Sequence, residues 1–164
     1  MPAYIDKKNI DLFTRHAILT ETEMRARYEI HLENYCKVSA IEANTLLEMA
    51  MRGVLPAAGK YADQLAQTLF HKKNCGISLP TVMEERTLTR VSELSATLFR
   101  VCEDLQTALE NAPSVDSGID AARYYRSEIV TRTQKAGELI GQLESLVDAK
   151  AWPYPTYADI LFSV

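Results

Sequence analysis

Three histidines and three cysteines are the side chains best equipped for metal or nucleophile chemistry, and their spacing works against both. His16, His31 and His71 lie far apart, and Cys36, Cys75 and Cys102 form no Cys-x-x-Cys. An odd number of widely spaced thiols favours reduced cysteines in a cytoplasmic protein over a disulfide framework or a zinc site. A di-metal carboxylate site in a helical bundle needs Glu-x-x-His, because the i, i+3 spacing points both ligands inward. The chain offers only Glu29-Ile-His31, which splays its side chains. Cys–His nucleophilic catalysis needs a base oriented by a third group, and no such arrangement is legible. Gly137-Glu-Leu-Ile-Gly141 sits inside a helical pattern, where it marks close packing or a weak point and not a phosphate-cradling loop. No catalytic, cofactor-binding or metal-ligating residue is expected, and the histidines read as surface or boundary residues.

Charge excludes further classes. The chain has 164 residues with a net charge of −4, 47% hydrophobic and 24% charged residues, which is ordinary globular usage. Arg123-Tyr-Tyr-Arg126 invites base stacking, but one such cluster on an acidic chain argues against a nucleic-acid partner. Tyr125 reads more simply as core, with Tyr124 on its flank. Glu21–Arg25, Glu23–Arg27 and Glu33–Lys37 are i, i+4 pairs, a solvated helix face with roughly a few tenths of a kcal/mol per pair. The functional alternative is an inter-subunit ion-pair face. No apolar run reaches the roughly 18–20 residues a bilayer requires, and Met1-Pro-Ala-Tyr-Ile-Asp lacks a signal-peptide core.

The elements that would position these residues are long helices. Thr20-Glu-Thr-Glu23 has the form of a capping box. From it the apolar positions Met24, Tyr28, Leu32, Tyr35, Val38, Ile41, Leu46 and Met49 step mostly by three or four, predicting a helix of about thirty residues. Gly53 and Pro56 interrupt it, and Pro56 suits the first turn of a continuation carrying Tyr61, Leu65, Leu69 and Phe70. Thr81-Val-Met-Glu84 predicts a second capping box, followed by a heptad seam from Leu88 through Val91, Ser95, Leu98, Cys102 and Leu105 to Ala112. After a turn at 112–118, one last long helix is expected to bury Ala122, Tyr125, Ile129, Ala136, Ile140, Leu143 and Val147. Ser95, Cys102, Thr133, Ala136 and Gly137 are small enough for close helix approach. The fold class read from this pattern is all-α, an antiparallel bundle of long helices with no hairpin signal. A single domain is expected over 1–164, with a lead-in segment at 1–19, the bundle at 20–149 and a C-terminal strap at 150–164.

That strap is the stretch least explained by bundle packing. Trp152, Tyr154, Tyr157, Ile160, Leu161 and Phe162 would cost about 1.5–3 kcal/mol per large side chain if left in water. Pro153 and Pro155 fix φ, so the segment is expected to start extended. These six residues are candidate docking groups, either onto this bundle or onto another subunit.

Trp-Pro-Tyr-Pro-Thr-Tyr-Ala-Asp-Ile-Leu-Phe at 152–162 resembles the extreme C-terminus of the type III glutamine synthetases, the large-subunit class of that enzyme. Residues 26–43, residues 54–62 and Lys8-Asn-Ile-Asp-Leu-Phe13 resemble the helical C-terminal region of that family in the same order. The resemblance implies that ATP and divalent metal are handled by a catalytic region of the parent polypeptide, outside the part matched here, so no catalytic residue carries over. It implies a non-catalytic domain with a structural, oligomerisation or regulatory role in a homo-oligomeric glutamate–ammonia ligase. Its partners would be the catalytic region and neighbouring subunits. The alternative is a free-standing helical scaffold or adaptor.

Overall fold

Thr20 opens the first long helix by satisfying N–H groups that would otherwise be unpaired at its start. Its Oγ1 accepts the Glu23 N–H at 3.3 Å, and its own N–H donates to Glu23 Oε2 at 2.8 Å. The computed structural model describes residues 2–155 and 157–162. Its α-helices are α1 (Lys7–Arg15), α2 (Glu21–Met49), α3 (Leu55–Asn74), α4 (Val82–Glu110), α5 (Ile119–Tyr124), α6 (Thr131–Glu144) and α7 (Tyr157–Phe162). Among the described residues there is no strand, and no helix is long and apolar enough to cross a membrane. The lead-in segment is more ordered than its sequence suggests: a 3-10 turn (Pro2–Ile5) precedes α1, which buries Ile10.

Two wide turns join helices that the residue pattern treats differently. Ala50–Val54 is a π turn carrying the chain from α2 into α3 without a break. Pro56 has no N–H to offer the Arg52 carbonyl four residues back, and a widened turn absorbs that loss. Tyr125–Val130 is a second π turn, between α5 and α6. There side chains reach the carbonyls: Thr131 Oγ1 donates to Arg126 O at 3.3 Å and Arg132 Nη1 to Glu128 O at 2.8 Å. The single last helix expected from the pattern is therefore two helices and a π turn, ending at Glu144.

Cross-helix bonds show the antiparallel course. Arg90 Nη2, near the start of α4, donates to Gln142 Oε1 near the end of α6 at 2.9 Å. Tyr124 OH, at the end of α5, donates to Ala108 O late in α4 at 2.9 Å. The core has two parts. In one, Val91, Leu94, Leu98 and Cys102 of α4 pack with Ala58 of α3 and with Ala136, Leu139 and Leu143 of α6. In the other, Tyr28, Leu32, Cys36 and Ala43 of α2 pack with Leu105, Ala121, Tyr125 and Ile129.

Three expectations are corrected here. The buried stripe of α2 is Met24, Tyr28, Leu32, Cys36, Ser39 and Ala43. Small residues take the inner positions beyond Leu32, which leaves Val38 and Ile41 exposed on the other face. In α6 it is Leu139 that is fully buried, with Ile140 at the margin. The predicted box at Thr81 does not form; Thr81 makes no cap bond, its hydroxyl donating to Glu85 Oε1 at 3.2 Å.

Glu84 is drawn away from that box to the neighbouring helix. Only 2% exposed, its Oε1 accepts Lys72 Nζ at 2.6 Å, fastening the end of α3 to the start of α4. Lys73 and Glu85 repeat the pairing at the surface at 2.9 Å. A buried carboxylate is tolerable when a cation pairs with it, here through Oε1 alone, since Glu84 Oε2 has no hydrogen-bond partner among the described residues. The bond from Lys72 holds the Glu84 carboxyl below its ordinary value of 4.5, against the upward push of burial. A carboxyl whose value falls on folding adds stability above its unfolded value and loses it as pH drops through the folded one. Urea midpoints should therefore fall on acidification below about pH 4.5, and Glu84→Gln should flatten that acid limb. Parallel limbs for the two proteins would contradict the role of the pair.

Candidate docking site at the C-terminal segment

The seat for the C-terminal aromatics is built by a local turn. Asp148 O accepts Ala151 N at 2.9 Å and Trp152 N at 3.0 Å, while Asp148 Oδ1 accepts Lys150 N at 2.7 Å. These bonds reverse the chain after Val147, and Trp152, 9% exposed, joins the core of Ala50, Val54, Leu98 and Leu143. Pro153 and Pro155 stay outside. Tyr154 lies over the first π turn, its OH donating to Met49 O at 3.3 Å. Gly53 makes room for it: a Cβ there would fall within 2.8 Å of Tyr154 Cε2.

The other four candidate residues part company with this pair. The chain resumes helix at α7, beyond the proline-bearing start expected to be extended. Ile160 and Leu161 are 64% and 72% exposed, and the side chains of Tyr157 and Phe162 lie outside the described residues. Beside Tyr154 runs an apolar groove of ≈ 450 Å³ lined by Ile41, Thr45, Met49, Ile140 and Gly141. Gly137 and Gly141 face this groove rather than a neighbouring backbone, and neither has an atom within 4 Å of an added Cβ.

The remaining reactive side chains do not converge. His16, just past the end of α1, and His31 and His71, on α2 and α3, are exposed; His31 meets the Tyr4 ring edge-on at 6.4 Å. Burial pushes the Cys36 and Cys102 thiols up, which keeps them protonated, and Cys75 is exposed. Tyr124 and Tyr125 are spent on packing and on the bond to Ala108 O, and Arg123 pairs with Asp120 at 3.2 Å. Of the expected ion pairs, Glu21–Arg25 forms at 2.7 Å and Glu33–Lys37 forms too. Glu23 turns instead to Thr20, whose hydrogen bonds hold its carboxyl below the ordinary range. Among the described residues no group of three or more His, Cys, Asp or Glu is placed to hold a metal ion. The Lys72–Glu84 pair was not legible, because twelve residues separate the partners and no local spacing announces them.

An all-helical domain with paired charges and aromatic residues of its terminal segment folded onto it is thus the class of object in hand. Residues 1–73 match the family profile described as the glutamine synthetase C-terminal domain. The whole chain is similar to a glutamine synthetase of Butyrivibrio fibrisolvens, 31% identical over 164 residues that cover 23% of that protein. It is similar also to the type-3 glutamine synthetase of Dictyostelium discoideum, 28% identical over 161 residues, 95% of this chain and 22% of that one. A Bacteroides fragilis glutamine synthetase is 23% identical over 98% of this chain and 22% of its own length. No solved structure matches. Residues 1–73 belong to the C-terminal domain family of the glutamine synthetases, and the whole chain spans less than a quarter of the length of these relatives.

Trp152→Ala should lower stability by about 3–5 kcal/mol in chemical denaturation, as for a large buried aromatic. An unchanged midpoint would place the Trp152 contact outside this bundle. Gly53→Ala should destabilise the wild-type chain but stabilise a Tyr154→Ala chain, where only the helix-propensity gain of up to ~1 kcal/mol remains. Equal effects in both backgrounds would show that Tyr154 does not rest on Gly53.

Proposed function

We propose that this chain is a non-catalytic, structural module of an ATP-dependent glutamate–ammonia ligase of the cytoplasm, where it supports the packing and assembly of the enzyme. The observation that carries this reading is the span of the similarity: essentially all of this chain aligns with less than a quarter of three glutamine synthetases. The chemistry of the chain agrees. Several of its carboxylates pair along helices, as in Glu48–Arg52 and Glu128–Arg132, and Glu23 serves a cap. On this reading ATP and divalent metal are handled by the catalytic region of the parent. That region and neighbouring subunits of a homo-oligomer are the partners.

The purified chain, supplied with glutamate, ammonia, ATP and Mg²⁺, should form no glutamine above the buffer rate. Removing the corresponding segment from the Butyrivibrio fibrisolvens relative should reduce the number of subunits in its assembly. Glutamine formation by the isolated chain would refute the non-catalytic reading; an unchanged number of subunits would refute the structural one.

A further inference from the structure

Five large apolar residues stand exposed at the end of the hairpin that α3 and α4 make. Phe70, Ile77, Leu79, Val82 and Met83 are each exposed by between 41 and 66%. Scattered singly such residues need no explanation, but gathered in one place they mark an interaction site. Here the backbone gathers them. Lys72–Glu84 at 2.6 Å and Lys73–Glu85 at 2.9 Å close the two helix ends on each other. Lys72 Nζ also donates to Pro80 O at 3.3 Å, and Gly76 turns the chain at a φ of +80°. The polar residues interleaved in the turn, Asn74 and Ser78, are uncharged. This end is therefore a fixed apolar surface and not a loose loop, and the unpaired Glu84 Oε2 is part of what fixing it costs.

No described segment of the chain reaches this end to cover it. Helix α6 stops at Glu144, with Gln142 bonded to Arg90, so α4 begins about 12 Å beyond that bond. Tyr154 is bonded to Met49, and roughly 37 Å of helix separate Met49 from Asn74. The chain from Pro155 to the end of α7 spans at most roughly 20 Å. The lead-in turn is farther away still, since Tyr4 rests on His31. Whatever covers the hairpin end comes from another molecule.

Area and charge select that molecule. Five large side chains at these exposures present on the order of 500 Å². Two such ends placed face to face remove about 1,000 Å² from water, the least that a specific interface needs. Charge at this end nearly cancels: Glu84 and Glu85 hold Lys72 and Lys73, and Arg86, without an ion pair among the described residues, is set back on the second turn of α4. A lipid surface is bound by clustered, unpaired cations, which this end does not offer. A near-neutral apolar end meets its own copy without like-charge repulsion.

We propose that the end of the α3–α4 hairpin is a self-docking surface, on which a second copy of the chain packs end to end through Phe70, Ile77, Leu79, Val82 and Met83. The pairing is two-fold, so each contact is made twice and the two Cys75 thiols, exposed in the same turn, are brought close together. An interface of this size is weak between two free chains and gains strength where a larger assembly holds many copies together. The inference deepens the assembly role proposed above and rests on it for its setting, while pairing of this chain is measured without any ligase.

Sedimentation velocity on the full 164-residue chain in reducing buffer, over a dilution series, should show the mass rising from 18.4 kDa toward twice that value. Copper–phenanthroline in air should then oxidise the paired thiols to a disulfide between two chains, through Cys75, because Cys36 and Cys102 are buried. Met83→Asp should lower both association and cross-linking at least about tenfold, the scale of an interface anchor. An acidic residue suits the first turn of a helix, so the fold survives that change, and circular dichroism with melting confirms it. Cys75→Ser should associate as the wild type does and give no cross-link. A chain that stays at 18.4 kDa at its solubility limit overturns the proposal; if that monomer floats with phosphatidylserine vesicles, the end belongs to a lipid surface instead. Association without a cross-link places the contact elsewhere, and cross-linking indifferent to Met83→Asp is collision alone; either overturns it as well. None of these results bears on whether the chain makes glutamine.

Discussion

The dry seam of α4 is the constraint on which the other elements depend. Val91, Leu98, Cys102 and Leu105 are buried almost completely, and they divide their contacts between the two parts of the core. A helix in this position satisfies its backbone internally, and its apolar stripe lets packing close around it from both parts of the core. Cys102 and Ala136 keep the seam narrow enough for α6 to approach. Trp152 then covers the part of the seam that α3 and α6 leave open, and Tyr154 follows it onto the turn at Gly53. The turn at Asp148 is what brings Trp152 back to that cluster.

Periodicity made the long helices legible because a buried stripe repeats with the helix. The cap at Thr20 was legible because its partner is three residues away, so the whole interaction lies within one turn. The same pattern at Thr81 misled, since a lysine on the preceding helix offers Glu84 a stronger partner than a backbone N–H. The stripe of α2 drifted after Leu32 for a related reason: Cys36, Ser39 and Ala43 lie inside although larger apolar residues stand nearby. Size and hydrophobicity rank residues, but the space available beside α4 and α5 decides which of them enters.

The docking residues were legible as a composition and only partly as a place. Aromatics beside prolines at 152–154 announced a need for burial, and Trp152 and Tyr154 meet it on this bundle. The sequence pattern held nothing to separate them from Ile160 and Leu161, which remain largely exposed on α7. The difference lies in the receiving surface. Gly53 supplies a gap and Met49 a carbonyl for Tyr154, and neither announces itself without the turn that brings them together.

The two π turns bear on how this chain tolerates changes in length. One residue added to a regular helix rotates everything beyond it by about 100° and turns a buried face to solvent. A π turn takes up such a residue on the spot, and the downstream faces keep their bearing. Insertion or loss of a single residue is therefore survivable at Ala50–Val54 and Tyr125–Val130, where the backbone has slack to exchange. In the middle of α4, with Leu98 fully enclosed, the same change would put the seam out of phase with α3 and α6 along its remaining length.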